Sequence, residues 1–547
     1  MKRKLIGILS LMIAFTMLSA CSGNDKTDAT TAASATTKAD ATKAADKDSD
    51  ATTAEDKSDS ETDAVSTGEG KDTVIVGAAA EPTLLFPFMA TNMDHVPILH
   101  NIYETPIRLS PNGEHLPLLA KSWDISADGI EYTLNLRDDV YFHNGDQMTA
   151  EDVAWTFNTI APTPSGAQLL GNFKSAEATD EFTCVITLTG PNAAFLNGLA
   201  GRFSLIVNKK LYEEIGEEAY NEHPIGTGPY KFEERVSGDR VTLSANEDYW
   251  GDAPAVKNVI FRVMSDSNTQ MIALESGDID VLIRANVSML SRMTADNVDW
   301  AVTDASSIAA LGLNCASGPA SDILFRQALQ YGINREEINI GVFEGLATPG
   351  YIQIAPNFTA CPDVGTYETI EYDLDKAKEL LEQSSYNGEV FRFNTVSGTA
   401  NESAAQIIQG QLIELGIDCQ VNAVDSASYF AMSDAGEYDA QLRASGVSLV
   451  DADGLFFMYH SDHILSEGKP DMGVARPELD ELIANGRSEV DQSKRKEIYA
   501  EAVNIITENA LAVPLYYEVN AVAFNKELKG VEPHALFGLY YFNDWSW

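Results

Sequence analysis

Hydrophobic and polar residues alternate most regularly around position 134. Tyr132, Leu134 and Leu136 are separated by polar residues, and this period of two predicts a strand with one buried face. The dipeptides Asp128-Gly129 and Asn144-Gly145 stand on either side of it, and both tolerate positive φ. The segment is therefore predicted to be a strand between two turns.

Helical periodicity and capping residues predict several helices. Thr149 and Asp152 have the spacing of a capping box, in which a hydroxyl and a carboxylate satisfy free amides of the first turn. A second box, from Ser267 to Gln270, predicts a helix that begins at Ser267 and ends at Gly277. Further helices are predicted after Asp322, Asn334 and Asp373 and over residues 401–416 and 427–433, with strands over 280–283 and 417–424. Because helices and strands alternate, the chain is predicted to belong to the α/β class.

The N-terminus has the pattern of a bacterial lipoprotein signal. Basic residues at positions 2–4 precede an apolar stretch over residues 5–17, which is too short to span a bilayer comfortably. Leu18-Ser19-Ala20-Cys21 follows and resembles a lipobox. We therefore predict that residues 1–20 are removed and that the Cys21 thiol is lipidated. The alternative is an ordinary signal peptide that happens to end in cysteine.

The segment after Cys21 is predicted to be a tether. Residues 22–72 are mainly Thr, Ala, Ser, Asp and Lys without apolar periodicity, so they cannot bury enough surface to fold. A flexible chain of this length spans roughly 40 Å. This is enough to hold a folded body clear of the membrane.

The chain is strongly acidic. Its 82 acidic and 37 basic residues give a formal net charge of −45, which argues against nucleic acid as a partner because phosphates would be repelled. A solvated acidic surface explains such a charge. A mild preference for cationic or zwitterionic solutes is the other interpretation.

Motifs for catalysis or a bound metal are not evident. Cys184, Cys315, Cys361 and Cys419 lie far apart without metal-ligand spacing, so buried free thiols or an incidental disulfide remain the two alternatives. The pair His460 and His463 has no HExxH context or third ligand. No nucleophile elbow, kinase signature or dinucleotide fingerprint occurs. The sequence therefore predicts no cofactor, no metal site and no enzymatic activity.

Two segments carry a family resemblance. Residues 120–153 resemble the signature of the family 5 extracellular solute-binding proteins, the peptide and nickel receptors that supply ABC importers. Residues 224–230, PIGTGPY, and residues 246–251, NEDYWG, match as well, and similarity runs colinearly over residues 73–547. GTGP lacks the lysine and serine of a phosphate loop, so we interpret it as a rigid turn into a strand.

The resemblance implies a two-lobed type II periplasmic-binding-protein fold with an extra subdomain in lobe one. We expect lobe I over residues 73–308, with the extra subdomain at about 98–221, and lobe II over 309–515. Residues 516–547 are then expected to return to lobe I.

The same resemblance implies a monomeric receptor that closes on a small solute and delivers it to ABC permease subunits in the membrane. Its own membrane contact would be the lipid anchor alone. An oligopeptide is the expected solute. A nickel chelate, haem, glutathione, an opine or an oligosaccharide is the alternative, and a tethered sensor or adhesin without transport is another.

Residues 443–453 are predicted to contribute to the ligand site. Peptide-binding relatives place a Gly-Trp pair and an aspartate in this region, where Ser445 and Ser448 stand in this chain. Asp451 or Asp453 is the candidate substitute for the missing aspartate. The alternative is that these two residues cap the following helix. Arg443 lies in a strand that is otherwise expected to be buried and predicts an anionic partner, either the ligand or an internal carboxylate.

Three further residues are predicted to line the cleft. Thr91 and Asn92 follow the first strand at a place where relatives line the cleft, and a plain surface turn is the alternative. Tyr351 follows a Gly-containing loop and is predicted to stack on the ligand.

Overall fold

A computed structural model of the protein describes residues 71–89, 95–110, 113–446, 450–462, 475–536 and 538–547. The predictions for Cys21, the tether, Thr91, Asn92, Ser448 and His463 lie outside these ranges. Within them, no helix combines the length and the apolar character that crossing a bilayer requires.

The strands form one large sheet and two small ones. In the large sheet the order is β15-β14-β16-β12-β17-β11-β1-β10-β9-β8, and β13 pairs with β17; β4-β5-β7-β6 and β2-β3 form the small sheets. The strand bounds are β1 Thr73–Ala78, β2 Ile107–Leu109, β3 His115–Pro117, β4 Ala120–Ile125, β5 Glu131–Leu136, β6 Phe173–Asp180, β7 Thr183–Leu188, β8 Tyr230–Val236, β9 Arg240–Ala245, β10 Asn258–Val263, β11 Val281–Ile283, β12 Val298–Leu313, β13 Thr348–Pro349, β14 Phe391–Val396, β15 Cys419–Val424, β16 Ala440–Gly446 and β17 Ala512–Asn525.

Helices cover both ends of this sheet order and the small sheet of β4–β7. Their bounds are α1 Val96–Ile102, α2 Ala150–Ile160, α3 Pro164–Leu169, α4 Phe195–Leu199, α5 Lys209–Glu222, α6 Ser267–Ser276, α7 Val287–Leu290, α8 Ile323–Gly332, α9 Arg335–Phe343, α10 Leu374–Gln383, α11 Ala400–Leu415, α12 Ser426–Asp434, α13 Ala452–Phe456, α14 Pro477–Ser488 and α15 Gln492–Glu508.

Two long strands join the two halves of the large sheet. β12 has 16 residues and β17 has 14, and they pair antiparallel from Val298–Asn525 to Gly312–Ala512. Lobe I lies on the side of β11, β1, β10, β9 and β8, and lobe II on the side of β16, β14 and β15. The pairing shifts register between Asp304 and Ile308. This irregular stretch marks the crossing between the lobes.

The segment around position 134 folds as predicted. Tyr132, Leu134 and Leu136 of β5 are buried while the residues between them are at least partly exposed. Gly129 has φ +69° and Gly145 has φ +88°, as the two predicted turns require. The Thr149 amide donates to Asp152 Oδ2 at 2.9 Å and begins α2. β4–β7 with α2–α4 are here called the four-stranded module, and that this module is the extra subdomain of lobe one stays a prediction.

The predicted helix caps are confirmed with one correction. Asp322, Asn334 and Asp373 each accept a hydrogen bond from a first-turn amide of α8, α9 and α10. The prediction that Ser267 caps α6 is wrong. Asp266 is the cap, because its carboxylate, one residue earlier, accepts from both the amide and the hydroxyl of Thr269 at 2.8 Å.

The cysteines of the described body are free thiols. Cys184, Cys315 and Cys419 are buried and Cys361 is half-buried. Burial raises the pKa of Cys184 to about 12 and that of Cys361 to about 11, so both are protonated near neutral pH. This agrees with the alternative of buried, unreactive thiols.

Candidate functional site

A cavity of about 820 Å³ lies where β12 and β17 cross between the lobes. Lobe I contributes the turn after β11, and the segment after the module contributes Arg202. Lobe II contributes the end of α9 and the start of α11. The lining residues are Arg202, Arg284, Ala285, Asn286, Val287, Ser288, Ser306, Ser307, Gly341, Val342, Phe343, Gly398, Thr399, Ala400, Glu402, Ser403, Ala444, Glu518, Val519, Asn520 and Ala521.

A half-buried carboxylate stands on the crossing strand β17. Ser307 of β12 donates its hydroxyl to Glu518 Oε2 at 2.6 Å. Burial raises the pKa of Glu518 above its ordinary value, and the Ser307 hydrogen bond and the charge of Arg284 oppose that shift. Glu518 is thus a fixed acceptor that a cationic ligand group can approach from the cavity.

Two arginines face the same cavity. Arg202 lies 4.7 Å from the ring centre of Phe203, and burial lowers its pKa from the usual value. Arg284 is exposed and has φ +54°. Such a left-handed conformation is uncommon for a residue other than glycine and is concentrated at functional sites. Together with Glu402 and Glu518 they give the cavity two basic and two acidic side chains.

The N-terminus of α11 opens onto the cavity. Gly398, Thr399 and Ala400 lie in its wall, and α11 has 16 residues. The Gly398 amide donates to Glu402 Oε2 at 2.7 Å. Helix N-termini present backbone amides and the positive end of the helix dipole, which favours an anionic group.

The lining can bind a solute through charges of both signs without covalent chemistry. Glu402 and Glu518 supply negative charge, and Arg202 and Arg284 supply positive charge. Serine hydroxyls and the side chains of Asn286 and Asn520 offer hydrogen bonds between them. Within the described ranges, no group of three or more His, Cys, Asp or Glu side chains is arranged to hold a metal ion.

Arg443 lies on the opposite face of β16 from this cavity. β16 pairs with β12 so that Ala444 faces Ala309, and Ala444 lines the 820 Å³ cavity. Arg443 lines a separate cavity of about 10 Å³ with Gln353 and Tyr459. A Cβ on Gly312 would lie 3.2 Å from Arg443 Nε, so Gly312 makes room for the arginine. A direct role for Arg443 in ligand binding stays a prediction.

Asp451 belongs to a fully buried ion pair and Asp453 to a partly exposed one. Both side-chain oxygens of Asp451 accept from Arg495, at 2.7 and 3.0 Å, and neither side chain is exposed. Asp451 Oδ1 also accepts from the Asp453 amide at 2.9 Å at the start of α13. Arg487 pairs with Asp453 at 3.1 Å. These contacts favour the structural role for Asp451, and its ligand role stays a prediction.

The other predicted ligand residues are only partly placed. Ser445 belongs to β16 and pairs with Ile308. Tyr351 is half-buried, and the Arg335 guanidinium lies 5.1 Å from its ring centre. Tyr351 is absent from the described lining of the 820 Å³ cavity. For Ser445 and Tyr351 a ligand role therefore remains a prediction.

The sequence predictions missed Arg202, Arg284, Ser307 and Glu518. One signal was available: Glu518 is a lone carboxylate in the apolar run of β17, the same kind of evidence that selected Arg443. Arg284 directly follows a strand, and the end of a strand is a common position for ligand residues. Nothing local distinguishes Arg202 from a surface arginine.

Residues 114–464 match the family model of the bacterial extracellular solute-binding proteins, family 5. This is well over half of the chain. The chain belongs to this family. Members of the family are transport receptors and not enzymes, and the two-lobed architecture and the inter-lobe cavity agree with that assignment.

This family 5 solute-binding protein is similar to receptors with different named ligands. It is 27% identical to the nickel-binding periplasmic protein of Escherichia coli over 79% of this chain and 87% of the relative. It is 26% identical to the oligopeptide-binding protein AppA of Bacillus subtilis over 86% of this chain and 91% of the relative.

The solved structures show the same fold. The periplasmic binding protein DppA of Helicobacter pylori in complex with the peptide STSA superposes with a TM-score of 0.74 at 26% identity, covering 87% of this chain and 98% of that one. The protein is therefore an extracytoplasmic receptor that binds a small solute for an ABC importer.

Proposed function

We propose that the solute is a short oligopeptide held between the two lobes. The observation that carries this proposal is the presence of opposite charges in one cavity, with Glu518 on β17 and Arg202 and Arg284 on the lobe I side. A free peptide is a zwitterion whose ammonium and carboxylate are separated by its length. A site with charges of both signs suits such a solute.

The rest of the lining is compatible with a peptide of variable sequence. Ser306, Ser307 and Asn520 can hydrogen-bond the peptide backbone, which is the same for every sequence. The volume of about 820 Å³ falls within the range of roughly 300–1,000 Å³ that is typical of small-molecule sites. A short peptide fits this size.

A carboxylate-rich chelate is the second candidate. Two arginines and a helix N-terminus in one cavity would bind a solute with several carboxylates, and one relative is named for binding nickel. In that case the ligand would bring its own metal. Glu518 would then face a hydroxyl or a metal-bound water and not an ammonium.

Native mass spectrometry of the purified protein can distinguish these candidates. We expect a retained solute whose mass matches a peptide and whose fragments after denaturation give an amino-acid sequence. Chelator treatment should leave it bound. A retained solute without amino-acid fragments, or one lost on chelation, would reject the peptide and support the chelate.

We also propose that Cys21 is lipidated and that this lipid is the membrane anchor of a monomeric receptor. The lipobox and the following tether support this proposal. Changing Cys21→Ser should move the protein from the membrane fraction to the soluble fraction, because the acceptor thiol is lost. Cys361→Ser is the matched control and should stay in the membrane fraction. If as much Cys21→Ser as wild-type protein were found in the membrane fraction, the proposal that Cys21 is lipidated would be rejected.

A further inference from the structure

The four-stranded module shares a buried apolar cluster with lobe II and also contacts it through two hydrogen bonds. Asn197 of α4 donates through Nδ2 to Asp451 Oδ2 at 3.3 Å. The Ala193 amide donates to the Arg487 carbonyl at 2.9 Å. Asn197, Ala193, Asp451 and Arg487 are here called the inter-lobe latch. None of the four belongs to the described lining of the 820 Å³ cavity.

Both sides of the latch are held in position by their own lobes. His115 Nε2 lies 2.7 Å from Asn197 Oδ1, so the ring orients the amide by donating to it. On the lobe II side, Arg495 holds both oxygens of Asp451. Asn197 is 2% exposed and Asp451 is 0% exposed. The hydrogen bond of the latch therefore forms between side chains that are already fixed in position and that are shielded from water.

Opening of the lobes would break these bonds without moving the lobe-internal ones. The amide of Asn197 would return to water, while the Asp451–Arg495 pair lies wholly in lobe II and would persist. A contact made only in the closed form raises the closed fraction before any solute binds. The apparent dissociation constant falls in proportion to that fraction.

We propose that Asn197 is a positioning residue for solute capture, which sets the open–closed equilibrium through Asp451 without touching the solute. The inference rests on the receptor role of the family and is independent of whether the solute is a peptide.

Amide hydrogen exchange at Ala193 tests the latch directly, because the Arg487 carbonyl protects this amide only in the closed form. Asn197→Ala removes the donor. Asn197→Asp keeps an acceptor for His115 and adds a repulsive charge beside Asp451. The control is Asn135→Ala in β5, whose amide makes a similar 3.3 Å contact with Asp124 inside the module.

Asn197→Ala should speed exchange at Ala193 by about 10- to 150-fold, as expected for one lost hydrogen bond to a charged group, and Asn197→Asp should speed it more. The amides paired between β5 and β7 should keep their wild-type rates in both variants, and Asn135→Ala should leave Ala193 unchanged. Native mass spectrometry should show less retained solute in both Asn197 variants.

Two results would overturn the proposal. If the Ala193 amide exchanged at the wild-type rate in Asn197→Asp, its protection would not depend on closure of the lobes. Equal acceleration at Ala193 and in the β5–β7 pairing would show that Asn197 only stabilises the module. Because exchange is measured without added solute, its result does not depend on whether the solute is a peptide.

Discussion

Replacing Arg495 by methionine is expected to lower the free energy of unfolding by about 3–5 kcal/mol. The Arg495 and Asp451 side chains are 0% exposed, and their closest approach is 2.7 Å. Methionine fills a similar volume but leaves the Asp451 carboxylate buried without its cation. The cost of an unpaired buried charge greatly exceeds the value of an exposed pair.

Chemical denaturation followed by circular dichroism measures this loss. Lys494→Met is the matched control on the same helix, because Lys494 is 63% exposed and lies 4.0 Å from Glu489. That variant should stay within about 0.5 kcal/mol of wild type. An Arg495→Met protein as stable as Lys494→Met would show that the buried pair is not needed for stability.

Glu518→Gln is expected to weaken binding of a free peptide by about 1.5–3 kcal/mol, the value of a hydrogen bond to a charged group. The glutamine keeps the shape and an acceptor for Ser307 but loses the charge that holds the ammonium. Arg202→Met should produce a loss of the same order through the peptide carboxylate.

Titration calorimetry with peptides blocked at one terminus identifies which residue binds each end of the peptide. The peptide is the one recovered from the wild-type protein. N-acetylation of the peptide should weaken its binding to wild type but not to Glu518→Gln. C-terminal amidation should weaken its binding to wild type but not to Arg202→Met. Glu527→Gln, an exposed change in the same C-terminal segment, is the control. If N-acetylation cost the same in Glu518→Gln as in wild type, Glu518 would not be the ammonium site.

The pH dependence of the same binding has a definite sign. Burial raises the pKa of Glu518, so the carboxylate becomes protonated at a higher pH than an ordinary glutamate, whose pKa is about 4.3. Ammonium binding needs the ionised form and is therefore lost as pH falls through this raised value. The Glu518→Gln variant should lack this dependence.

Local structure was predictable wherever neighbouring residues determine it. The alternation at Tyr132, Leu134 and Leu136 matches the burial of β5, and Asn334 caps α9 as predicted. The one wrong cap shows the limit of this reasoning. Asp266 and Ser267 are both good capping residues, and only the geometry of the turn selects Asp266.

The sequence by itself determined the family, the α/β class and the predicted signal and tether, because these depend on composition, short-range spacing and a colinear signature. The solute cavity was decided only by the tertiary structure. Arg202, Arg284 and Glu518 are far apart in the chain and meet because β12 and β17 cross between the lobes.

The pairing register of β16 with β12 determines which side chains of β16 line the cavity. A strand turns successive side chains to opposite faces, so the pairing of Ala444 with Ala309 places Ala444 in the cavity wall and Arg443 behind it. The sequence shows that an arginine lies in a strand that is expected to be buried. It does not show which face of the sheet will meet the solute, because that depends on a partner strand more than 100 residues away.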